Sequence, residues 1–172
     1  MKEAVFGAPK LSQRIDVKSK YWKSRSCGIV SLKMIMDYWK KPAGGVGLAT
    51  LIQNGVKIGA HDKRHGWRHK GLVNLAKKYG YQGQNYDWFK NSPQKAFLKL
   101  TKKIGVPAIA SIHSGLNPKK PGHLVVITGI RGKKIYYNDP DSAKRKHVAK
   151  VASIEKFLRG WKRRIIIVRP YK

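Results

Sequence analysis

The chain has 172 residues, of which 38 are Lys or Arg against 8 Asp or Glu, with one Cys and 41% hydrophobic residues. That length suits one domain with a single buried core, expected to span residues 1–172, and the apolar content excludes a chain disordered by composition. One cysteine excludes an internal disulfide scaffold and a cysteine-rich zinc site, while a formal charge of +30 draws polyanions such as nucleic acid, anionic lipid or acidic cell-wall polymer.

The N-terminal stretch MKEAVFGAPKLSQ contains no apolar core of signal-peptide length, so the chain as written is expected to be cytoplasmic. The longest apolar runs, Leu124 to Ile127 and Ile165 to Val168, fall far short of the roughly 20 residues of a membrane-spanning helix. Residues 1–26 read as irregular. From Cys27 to Lys40, apolar residues at Ile29, Val30, Leu32, Ile35, Met36 and Trp39 recur at helical spacing, and Lys41-Pro42 with Gly44-Gly45 end the helix. A short helix is expected over Val46–Asn54, and another over Lys70–Tyr79 with Gly80 beyond its end. Ser92 as N-cap and Pro93 at the first helical position open a helix that runs to about Lys103. Then the period changes. Val106–Ile112, His123–Ile130, Lys134–Asn138 and Arg164–Arg169 read as strands, with a short helix at Ser153–Gly160. Helices first and strands second predict an α+β fold, with helices packed on one side of a mostly antiparallel sheet.

Cys27 stands at the start of the first strong helix, where the partial positive charge and unpaired N–H groups of the helix terminus favour a thiolate nucleophile. The Cys27 backbone N–H is placed to stabilise an oxyanion, and Gly28 allows a substrate backbone to come close. A lone cysteine is equally a small buried hydrophobe. His123 adds to the pattern because it opens an apolar strand, PGHLVVITGI, and Asp139 follows sixteen residues later in IYYNDP. If Ile130-Arg131-Gly132 form a three-residue hairpin loop, Gly129 pairs with Lys133 and His123 faces Asp139 directly. The carboxylate then accepts the imidazole Nδ1–H and leaves Nε2 for the thiol. A two-residue turn at Gly132-Lys133 spoils that register, and Asp141 is the substitute of the same strand parity.

The segment CGIVSLKM, the strand GHLVVITGI and the downstream Asp139-Pro140 together resemble the bacteriocin-processing, double-glycine-leader cysteine peptidases, and are more similar still to their stand-alone bacterial relatives. The resemblance covers nearly the whole chain. It implies a papain-like fold, a Cys27–His123–Asp139 triad, no cofactor, and a peptide or protein substrate. APKLSQRIDV resembles the stretch bearing the family's oxyanion glutamine, which implies that role for Gln13. In close members that glutamine precedes the cysteine by about one and a half helical turns, a position held here by Tyr21. GWRHKGLVNLAKKYGY is similar to the family's second helical region, which implies that Trp67 and His69 contact substrate. Gly28 and Gly122, beside the nucleophile and the base, join them as candidate substrate contacts.

His61, His65 and His69 recur every four residues, but Gly66 interrupts a helix there and the neighbours are basic, so no metal is assigned to them. A monomeric thiol hydrolase is the leading reading, with amidase or acyltransferase chemistry open to the same groups. The alternative is a catalytically weak or inactive papain-like domain that binds a polyanion through its basic surface, with a steep salt dependence. A lysine-rich decoration of every solvated face accounts for the same charge without any partner.

Overall fold

The computed structural model describes residues 4–40 and 45–171. In chain order the elements are β1 (Ala4–Val5), α1 (Cys27–Trp39), α2 (Leu48–Lys57), β2 (His61–Asp62), β3 (Gly66–Trp67), α3 (His69–Lys78), β4 (Tyr81–Asp87), α4 (Pro93–Lys103), β5 (Ala108–His113), β6 (Gly122–Arg131), β7 (Lys134–Asn138), β8 (Ala149–Ser153), α5 (Ile154–Gly160) and β9 (Trp161–Pro170). The expected helices and strands are present with ends shifted by a few residues. Ser92 caps α4 by accepting from Lys95 N–H, with Pro93 in its first turn. The α1 terminator expected at Lys41-Pro42 and Gly44 lies outside the described residues. Strands β1, β4 and β8 and the β2–β3 ribbon are additions to the sequence reading. β4 (YQGQNYD) is mostly polar and exposed, so alternation never marks it.

The main sheet has seven strands in the order β4-β9-β5-β6-β7-β8, all antiparallel, with β1 on β6 beyond the end of β5. Helices cover both faces rather than one. α1, α2 and α3 bury Ile29, Leu32, Met36, Leu51, Leu72 and Leu75 against Ile109, Leu124, Val126, Ile166 and Val168. On the other face, Phe97 and Leu100 of α4 and Phe157 of α5 pack on Ala110, Ile112, Val125, Ile127, Ile165 and Ile167. The unbroken run Ile165–Val168 makes this unavoidable, because successive strand residues point to opposite faces and all four are buried.

The β6–β7 hairpin differs from its expected form. Arg131 pairs with Lys134, Ile130 with Ile135 and Gly129 with Tyr136, so the turn is the two-residue Gly132-Lys133 with Gly132 at φ 53°. Carried straight on, that register sets Asp139 on the opposite face from His123. A bulge at Thr128 corrects it. Beyond the bulge Ile127 pairs with Tyr137 and Val126 with Asn138, so continuing the ladder brings Asp139 beside Val125, on the same face as His123. Pro140 has no N–H to extend the ladder, and the chain turns away. Asp139 N–H donates to Val148 O at 2.8 Å and Gln13 N–H to Pro140 O at 2.8 Å.

One glycine fixes how α1 sits on this frame. A methyl group on Gly28 would lie 2.6 Å from Trp67 Cβ and 3.2 Å from Leu124 Cδ1. Gly28→Ala is therefore expected to destabilise the fold by about 1–3 kcal/mol through overpacking. Gly7→Ala, whose added methyl meets nothing within 4 Å, should stay within about 0.5 kcal/mol of wild type. Urea unfolding of the two variants checks the difference.

Candidate active site

Ser26 precedes α1 with a residue type suited to capping, yet its hydroxyl donates back to Trp22 O at 2.8 Å and caps nothing. No acidic residue stands in the first turn of α1. The positive end of the helix dipole is thus left unneutralised at Cys27, the half-buried first residue. Ser31 Oγ, one turn on, donates to Leu124 O at 3.3 Å and ties α1 to the start of β6.

That start is where His123 lies, 8% exposed, and its Nε2 meets Asp139 Oδ1 at 2.7 Å. The Asp139 carboxylate is itself 7% exposed and accepts Asp141 N–H at 2.9 Å on the same oxygen. The expected tautomer arrangement is reversed: Nε2, not Nδ1, faces Asp139. The bulged register explains this. Asp139 sits diagonally from His123 rather than directly opposite, and only the ring nitrogen farther from the backbone reaches it. Nδ1 is the nitrogen that Asp139 leaves over, and Cys27 is near enough to the imidazole to raise its pKa. Asp141, the substitute carboxylate, turns outward and pairs with Arg14.

Burial alone lowers the His123 pKa, but hydrogen bonds to Asp139 and to Cys27, with the charges of both, outweigh it and raise the value to about 10. For Asp139, burial acts upward, and the hydrogen bond and charge of His123 outweigh it and hold the carboxyl below its ordinary 3.8. Tyr137, pushed up to about 12 by burial and then by the Asp139 charge, senses the same carboxylate.

The other candidate residues fall around this centre. Gln13 is 2% exposed, on the loop whose backbone bonds Pro140, and its Oε1 is buried with no hydrogen-bond partner. The same loop is fastened by Ser12 Oγ to Ser142 O at 2.6 Å and by Arg145 across both oxygens of Asp16. Tyr21, Trp67, His69 and Gly122 line a cleft of about 620 Å³ together with Cys27 and His123. Gly28 does not line it. The close approach that requires glycine there is with Trp67, not with a substrate backbone. Trp67 forms one wall, tilted against Trp22 and edge-to-face with His61, with Nε1 donating to Arg25 O at 2.7 Å. His61, His65 and His69 occupy β2, the following turn and the start of α3, so helical spacing does not gather them. A second cavity, about 650 Å³ between residues 11–22, α1 and α2, shares no lining residue with the cleft and holds neither Cys27 nor His123.

Sequence reading missed Lys162, which lines the cleft beside Gly122. Lys162, Arg163 and Arg164 follow Trp161 as one basic run, and nothing in that run singles out Lys162.

The raised pKa yields a titration prediction. The His123 contribution to stability is complete below about pH 6.5 and is lost as pH climbs through about 10. The Asp139 contribution is complete above 3.8 and is lost as pH falls through its lowered value. The NMR ring signals of His123 are expected to stay flat between pH 6 and 8 in wild type and to titrate inside that range in Asp139→Asn.

No helix among the described residues is long and apolar enough to cross a membrane. The Peptidase_C39 like family model matches residues 9–165. Among solved structures, a double glycine motif protease from an AMS/PCAT transporter, in complex with its leader peptide, is 24% identical over 99% of this chain and 100% of that one, with a TM-score of 0.64. A C39-like peptidase from Bacillus anthracis is 17% identical with both chains covered in full and a TM-score of 0.67. The peptidase domain of Streptococcus ComA, a bi-functional ABC transporter involved in quorum sensing, is 20% identical over 86% of this chain and 93% of that one, with a TM-score of 0.65. No curated protein sequence matches. The family model spans most of the chain, and the fold of helices on an antiparallel sheet matches that of these peptidases: the chain belongs to the Peptidase_C39 like family.

Proposed function

We propose that residues 1–172 form one papain-like peptidase domain that cleaves a peptide bond through Cys27, His123 and Asp139. The observation that carries this reading is a single buried imidazole bonded on Nε2 to Asp139, in the cleft that Cys27 lines from the start of α1. A double glycine motif protease with its leader peptide bound, at the same fold, supports a peptide as substrate.

The proton of the Cys27 thiol passes to His123, which leaves the sulfur beside an imidazolium. The sulfur attacks the carbonyl carbon, and the negative charge moves to the carbonyl oxygen. The Cys27 backbone N–H and the Gln13 amide donate to that oxyanion. Gln13 is assigned on its burial beside Asp139-Pro140 and on the likeness of APKLSQRIDV to the stretch bearing the family's oxyanion glutamine. As the carbon–nitrogen bond breaks, His123 gives its proton to the leaving amine. Neutral His123 then takes a proton from water, the resulting hydroxyl attacks the thioester, and the acid leaves as the thiolate and imidazolium reform. Asp139 orients the ring and balances the imidazolium, without taking its proton. The polyanion-binding alternative keeps only the +30 charge in its favour.

Cys27→Ser and His123→Ala are expected to abolish cleavage with the fold intact, and Asp139→Asn to be milder. Gln13→Ala should cost about 100- to 1,000-fold in kcat. Iodoacetamide should alkylate Cys27 readily at pH 6 in wild type and poorly in His123→Ala. Equal alkylation of the two proteins at pH 6 would falsify the assignment of Cys27 as the nucleophile.

A further inference from the structure

The cleft carries more positive charge than its chemistry uses. Arg25, Lys63, Arg64, Arg68, Lys162 and Arg164 all line it. No Asp or Glu lines it, and the two acids that reach its lining residues are both occupied. Asp62 binds Arg68 at 2.8 Å and His65 at 2.9 Å, and Asp87 binds Arg164 at 2.8 Å. Lys162 has no acidic partner among the described residues.

The backbone is bent to bring Lys162 there. Across β5 and β9, Ser111 pairs with Arg164 and Ile112 with Trp161, so Lys162 and Arg163 are extra residues bulged out of β9. Arg163 adopts φ 57°, a left-handed conformation that costs a non-glycine residue of order 1 kcal/mol or more. The surroundings hold it in place: Arg163 O accepts Trp88 N–H at 2.9 Å, its guanidinium lies 4.8 Å from the Phe89 ring centre, and its Nε is buried without a partner. A methyl group on Gly122 would lie 3.2 Å from Lys162 Nζ, so the ammonium stands over the residue next to His123. A bulge that re-aims one side chain, kept at the cost of strain beside a site, is how a sheet places a functional group.

We infer that Lys162 is a specificity-determining residue that binds an acidic side chain of the substrate within about two residues of the bond attacked, given a Cα spacing near 3.8 Å. This rests on the proposed thiol chemistry at Cys27. A peptide's terminal carboxylate offers the same chemistry, and the experiment separates the two. The field of the subsite is felt across the cleft: burial first, then Arg164 and Lys162, lower the pKa of His69, against the opposing charge of Asp87.

The test reads alkylation of Cys27 by anionic iodoacetate and by neutral iodoacetamide on the intact protein, and needs no turnover. If Cys27 is no nucleophile, the iodoacetamide rate alone reports it through its indifference to His123→Ala. The inference is read separately, from the ratio of the two rates. Lys162→Gln should lower the iodoacetate to iodoacetamide ratio about threefold, the size of one partly exposed charge contact. Lys134→Gln removes an equal charge at the far end of β6 and should leave the ratio alone. Raising the salt to about 1 M should shrink the Lys162 effect, since screening then acts over about 3 Å. An unchanged ratio in Lys162→Gln, or an equal fall in Lys134→Gln, overturns the assignment. Two capped peptides then act as protectants against iodoacetamide: acetyl-Gly-Glu-Gly-amide, and acetyl-Gly-Gly-Gly with a free carboxylate. Protection by the glutamate peptide that Lys162→Gln abolishes supports the side-chain reading. Protection by the free-carboxylate peptide alone, or by neither, overturns it.

Discussion

A carboxylate and an imidazole buried together are expensive to desolvate unless they meet in good geometry and their remaining bonds are satisfied. His123 and Asp139 meet that condition: the pair closes at 2.7 Å, and a backbone N–H supplies a further bond to the same carboxylate oxygen. Everything that surrounds the thiol follows from this contact. It sets which ring nitrogen faces Asp139 and raises the His123 pKa against the effect of burial. The Thr128 bulge is what permits the contact, because it moves Asp139 by one residue and a shift of one residue in a strand exchanges its faces.

The rest of the architecture holds α1 in place against that pair. Gly28 lets the helix press on Trp67 and Leu124, and the Trp22–His61–Trp67 cluster backs the same wall of the cleft. The N-terminal loop is fastened to the end of β7 and the segment that follows it. Its bonds run from residues 8–16 to residues 138–145, so the segment that carries Gln13 is anchored to the strand end that carries Asp139. Deleting any one of these attachments displaces a group near the thiol without touching it.

Charge acts at two scales in this molecule. The total of +30 is spread over solvated faces, where salt screens it and no single residue matters. The cleft is different, because the acids that reach its lining residues are already paired and Lys162 stands over Gly122 on a strained backbone. Composition reports the first and is blind to the second.

Much of the fold was legible in the sequence because it rests on local rules. The apolar spacing from Ile29 to Trp39 marks α1, Ser92-Pro93 marks the start of α4, and the β-branched runs mark β5, β6 and β9. Cys27 at a helix start and His123 at a strand start were visible for the same reason, and the resemblance to the double-glycine peptidases joined them to Asp139. The tertiary structure alone decided what depends on registration between distant segments. A bulge at Thr128 has no signature within its own strand, yet it determined that Asp139 faces His123 and through which nitrogen. Gly28 read as an opening for substrate because the partner that needs the space, Trp67, is thirty-nine residues away. β4 stayed hidden because its polar face is exposed and its order comes from pairing with β9. Lys162 looked like one basic residue among many until a two-residue bulge carried it into the cleft, since a side chain's direction is set by the ladder it sits in rather than by its own identity.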